Sequence, residues 1–150
     1  HWNINADDVG IMGFSAGGHL ASTVATHSTD DAAPNFQILF YPVITMDPEF
    51  THKGSHDNLL GEKAKKKDEI NYSSDIQVSR KTPRAFICLS DDDDCVVPAN
   101  GVNYYFELYK HDVPATLMVY PDGNHGWGIR PNVAYHLEML MNLKAWLGSF

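Results

Sequence analysis

The chain lacks any apolar run long enough to span a bilayer, so no membrane partner is expected. It is poor in positive charge. Its 11 lysines and arginines face 19 aspartates and glutamates, for a formal net charge of −8 and a pI near 5.3. That balance argues against nucleic acid or an anionic surface as a ligand. Cysteine is scarce too. Cys88 and Cys95 are the only two, one in an expected strand and the other in the loop after it, so no disulfide is expected and the compartment is not legible. The 8 histidines are scattered, and neither metal nor cofactor is expected. There is no internal repeat and no visible signal peptide; the chain opens His1-Trp2-Asn3-Ile4, unlike a natural start.

What is present suits one domain. The 150 residues are 43% hydrophobic, enough for a sizeable core. The run Val9 to Phe14 is short and mostly apolar, as a buried parallel strand is. Gly13-Phe14-Ser15-Ala16-Gly17-Gly18 follows, and then a passable helix to about residue 25. This is a G-x-S-x-G nucleophile elbow, with Gly13, Ser15 and Gly17 in its fixed places. The serine must take a strained backbone at a strand-to-helix turn, and glycine is expected at both flanking positions to avoid a clash. The helix N-terminus then offers free N–H groups to a developing oxyanion.

Further strands are expected at 36–42, 84–89 and 115–121, with helices at 99–111, entered through Pro98, and 132–147. Residues 46–83 break the rhythm and read as a cap-like insertion; the charge run Glu62 to Glu69, with 4 lysines, reads as a solvated helix surface. Alternation of strand and helix gives an α/β fold with a parallel sheet and helices on both faces. Ligands of such sheets bind past the C-terminal strand ends. Ser15, the aspartates Asp91 to Asp94, and His125 all fall there.

A serine hydroxyl needs a base to accept its proton and an acid to orient that base. His125, among Gly123, Gly126 and Gly128, is the candidate base, and the chain order Ser, Asp, His matches that of α/β-hydrolases. One of the four aspartates must turn inward to it; the residues alone leave open which. His19 reads as a helix-face residue outside the chemistry.

GFSAGGHLA, LFYPV at 39–43, SHDNLLG at 55–61, DDDCVVP at 92–98 and YPDGNHG at 120–126 together resemble one group. It is the bacterial α/β-hydrolase esterases of the acetyl-xylan-esterase and dienelactone-hydrolase-like kind. The resemblance runs the length of the chain as a single α/β-hydrolase domain. It implies ester hydrolysis through an acyl-enzyme, often of acetyl groups on plant polysaccharide fragments. It also implies the acid, because the family's carboxylate tends to stand three residues before the first valine of a D-x-x-V-V-P run, which here is Asp93, with Asp94 as second choice. Ser15, Asp93 and His125 are then the catalytic set and the N–H of Ala16 the oxyanion donor. Trp127 and Tyr41 are candidate substrate-binding residues, each with core packing as its alternative. The rival readings are a serine peptidase of the prolyl-oligopeptidase type and a non-catalytic hydrolase-like module. The elbow strand comes first here and fifth in such enzymes, and no glycine-rich loop supplies a second oxyanion donor. The chain is therefore expected to be the C-terminal part of a hydrolase lacking its N-terminal strands. A missing N-terminal segment or a second copy would complete it, and the isolated 150 residues are expected to be poorly active.

Overall fold

The computed structural model describes residues 3–150. Its centre is a four-stranded, all-parallel sheet in the order β1 (Gly10–Phe14), β2 (Phe36–Phe40), β3 (Arg84–Ser90), β4 (Ala115–Tyr120). Each strand pairs with its successor in the chain, so every connection is a crossover, which a parallel pair requires. The register sets Phe14 beside Phe40, Phe40 beside Cys88, and Ser90 beside Tyr120. The C-terminal ends therefore lie along one edge, where the loops after β1, β3 and β4 emerge.

The two central strands are the dry core. Leu39, Phe40, Phe86, Ile87 and Cys88 are fully buried. Such continuous apolar runs are expected of strands covered on both faces. Successive side chains point to opposite faces, and the helices divide accordingly. Helix α4 (Ala99–Lys110) brings Gly101 against Ile87 and Leu89, while Phe86, on the other face, meets Trp146 of α5 (His136–Leu147). One polar pair crosses this core: Tyr104 Oη donates to Gln37 Oε1 at 3.0 Å, and Gln37 Nε2 donates to the Pro83 carbonyl.

Helix α1 (Ala16–His27) follows β1 directly. Two short helices, α2 (Lys53–Leu60) and α3 (Lys66–Asn71), lie in the 46–83 segment. That segment is tied down: Met46 N donates to Ser73 Oγ, Ser74 N to the Ile44 carbonyl, and Ser22 Oγ to Ser74 Oγ. The charge run is helical only from Lys66; Glu62 to Lys65 precede the helix. The last helix begins at His136, four residues later than its apolar spacing suggests, because Arg130 N and Val133 N close turns onto Trp127 and Arg130.

Candidate active site

Ser15 occupies the turn between β1 and α1 with φ 54° and ψ −122°. A non-glycine residue at positive φ is strained and persists only where its surroundings hold it. Here Ser15 N donates to the Phe40 carbonyl, and the Ser15 carbonyl accepts from Gly18, His19 and Val43. The flanking glycines have different reasons. A β carbon on Gly13 would stand 2.0 Å from the Gly17 carbonyl oxygen, so nothing larger fits. A β carbon on Gly17 would meet no atom within 4 Å. The expectation that both positions exclude a side chain is thus corrected: the crowding is at Gly13.

His125 sits in the loop after β4. Its Nε2 is 2.8 Å from Ser15 Oγ and its Nδ1 is 2.7 Å from Asp93 Oδ2. An imidazole protonated at Nδ1 donates to the carboxylate and accepts the serine hydroxyl proton at Nε2. Asp93 is 3% exposed, and its second oxygen, Oδ1, accepts the N–H groups of Cys95 and Val96. The carboxylate is thereby fixed in place without losing the oxygen that faces the ring. Asp94, the second choice for this place, is exposed and makes no side-chain hydrogen bond among the described residues.

Ala16 is the first residue of α1, so its N–H has no acceptor a turn earlier in the helix. It also borders a cavity of about 340 Å³ between α1 and α2, with Leu20, Thr23, Asn58, Leu59 and Tyr72 among the walls. Tyr41 directly follows β2 with φ 34°, a second strained residue beside Ser15. Its ring stands edge-on to the His125 imidazole, centroids 4.7 Å apart, and its hydroxyl lies against the backbone of Gly128. Burial pushes that phenol's pKa up. Trp127 is 5% exposed and packs edge-on against Phe40 and Tyr41. Tyr41 thus backs the imidazole and Trp127 backs Tyr41, and neither lines the cavity. His19 is also buried; its Nε2 donates to the Tyr72 carbonyl at 2.7 Å, and desolvation lowers its pKa. It pins the segment after α3 to α1.

Sequence reasoning missed Asp92, whose carboxylate accepts the backbone N–H groups of Gly123 and Asn124. Its only signal was adjacency to Asp93. No group of three or more His, Cys, Asp or Glu side chains is placed to hold a metal among the described residues.

Residues 2–149 match the profile of the prolyl oligopeptidase family. The chain belongs to the prolyl oligopeptidase family. The chain is 45% identical to an acetylxylan esterase of Xylanibacter ruminicola over 99% of its own length and 32% of that protein. It is 32% identical to endo-1,4-beta-xylanase B of Butyrivibrio fibrisolvens over 83% of its length and 21% of that protein. Among solved structures, an acetyl ester-xyloside bifunctional hydrolase from Caldicellulosiruptor lactoaceticus superposes with a TM-score of 0.92 at 37% identity. That match covers 98% of this chain and 58% of the other. The chain thus spans a third or less of the curated relatives it matches. An acylaminoacyl peptidase shares the fold at 15% identity and a TM-score of 0.76. The same fold thus occurs in an acetyl ester hydrolase and in a peptidase, so the fold does not choose between the two activities.

Proposed function

We propose that this chain is the nucleophile-bearing part of a serine esterase that removes acetyl groups from carbohydrate, as acetylxylan esterases do. The observation that carries the chemistry is the line Ser15 Oγ, His125, Asp93, with separations of 2.8 and 2.7 Å. The observation that carries the substrate class is the 45% identity to an acetylxylan esterase.

In the proposed cycle Ser15 Oγ attacks the ester carbonyl carbon while its proton passes to His125 Nε2. Asp93 holds the imidazole in the required tautomer and stabilises the imidazolium. The N–H of Ala16 donates to the oxyanion; one such donor is worth on the order of 10²–10³ in turnover. The imidazolium then protonates the departing sugar alcohol. A water, deprotonated by the same ring, attacks the acetyl-enzyme and returns Ser15 with release of acetate.

The rival reading is a peptidase, favoured by the family to which the chain belongs. Three substrates separate the two. Release of acetate from acetylated xylo-oligosaccharides and turnover of p-nitrophenyl acetate, with none of a proline-containing peptide anilide, supports the esterase. The reverse pattern supports the peptidase.

A further inference from the structure

We infer that Asp92 is a positioning residue for His125: it holds the backbone of the loop that carries the imidazole, while its neighbour Asp93 holds the ring. The inference rests on the reading of His125 as general base.

The loop after β4 is costly to hold in one conformation. Gly123, Asn124, Gly126 and Gly128 all have positive φ, and three of them are glycines, with the largest backbone entropy to lose. The sheet stops short of it, since the last N–H of the β3–β4 ladder is Asp91 N, donated to the Tyr120 carbonyl at 2.7 Å. Beyond that rung, side-chain oxygens take over. Asp92 Oδ2 accepts Gly123 N at 3.2 Å, Asp92 Oδ1 accepts Asn124 N at 2.7 Å, and Asn124 Oδ1 accepts His125 N at 2.7 Å. Three consecutive N–H groups leading to the imidazole are thus each met by a carboxylate or amide oxygen, and the two bonds to Asp92 are charge-assisted.

Adjacent aspartates on one turn therefore act on one loop at two levels. Their outer neighbours do not: Asp91 and Asp94, exposed as Asp92 is, make no side-chain hydrogen bond among the described residues. The imidazole must be placed within a fraction of an ångström, because a misplacement of about 1 Å can cost about 100-fold in rate.

The test compares Asp92→Ala, Asp92→Asn and Asp94→Ala in the full chain. It reads kcat and KM on p-nitrophenyl acetate, the rate of fluorophosphonate labelling at Ser15, and the melting midpoint. Asp92→Ala is expected to lower kcat and the labelling rate by about 10- to 100-fold, with KM within about twofold. Asp92→Asn should recover much of that loss, because its amide oxygen still accepts the Asn124 N–H. Asp94→Ala removes the same charge from the same turn and should match the parent. If Asp92→Ala does not melt cooperatively, a smaller kcat loss in Asp92→Asn at unchanged KM supports the inference, and parental kcat overturns it. Parental kcat and labelling in a folded Asp92→Ala overturn it, as does an equal loss in Asp94→Ala. Ser15→Ala and His125→Ala run alongside: if they too keep the parental rate, the base reading has failed; if they are dead while Asp92→Ala is parental, only the positioning role has failed.

Discussion

Gly18 lies so close to Pro42 that a β carbon on it would stand 2.6 Å from the proline Cβ and 2.9 Å from its Cα. This contact seats the first turn of α1 on the chain leaving β2, and with it the elbow. Neither proline atom belongs to a flexible tip that could swing away. Gly18→Ala is therefore expected to destabilise the fold by about 1–3 kcal/mol, despite alanine's better helix propensity. Gly17→Ala meets open space at an exposed helical position and should be neutral or stabilising by about 0.5–1 kcal/mol. Chemical denaturation of the two variants gives the comparison.

Asp93→Asn separates the carboxylate's two tasks. The amide oxygen can still accept from Cys95 N and Val96 N, so the turn should hold. Its NH2 group would instead face Nδ1 and favour the tautomer with the proton on Nε2, which cannot accept from Ser15. Ester turnover is expected to fall by about 10⁴, the size of this effect in serine hydrolases, while the melting midpoint changes little.

The elbow strand, the aspartate turn and the histidine loop were legible in the sequence because each is a local pattern with its own backbone demand. Phe36 to Phe40 reads as apolar throughout except Gln37, and only the fold shows that Tyr104 meets it. The choice of Asp93 came from a resemblance, not from any property that sets one of four adjacent aspartates apart. Asp92's grip on Gly123 and Asn124 spans 31 and 32 residues, and no local pattern encodes it. The start of α2 was hidden for a different reason. Its cap is His52, whose Nδ1 accepts Ser55 N–H, in a place usually held by Ser, Thr, Asp or Asn.

Tyr104→Phe should expose the cost of that buried pair. It leaves Gln37 Oε1 without a donor in the core, for an expected loss of about 1–3 kcal/mol. Replacing both residues with apolar ones in a double-mutant cycle should recover part of the loss.

His56 gives the 46–83 segment a pH dependence. Its Nδ1 faces Asp57 Oδ1 at 2.9 Å and its Nε2 faces Glu69 Oε1 at 3.2 Å, joining α2 to α3. Lys53 pairs with Asp57, and Lys66 with Glu69. The bond to Asp57, with help from Glu69, raises the His56 pKa above its ordinary 6.5. A raised folded pKa means the stabilisation is fully present below about pH 6.5 and is lost as pH climbs through the higher folded value. The stability gap between the parent and His56→Gln should therefore be widest near pH 5.5–6 and narrow towards pH 9. A gap that widens with rising pH would contradict this.

The account depends on Ser15 being made nucleophilic by His125. The most direct measurement is mass spectrometry of the chain after exposure to a fluorophosphonate. One adduct is expected, on the peptide carrying Ser15, and it should vanish in His125→Ala at the same exposure. An unlabelled parent chain, or equal labelling of parent and His125→Ala, would contradict the account.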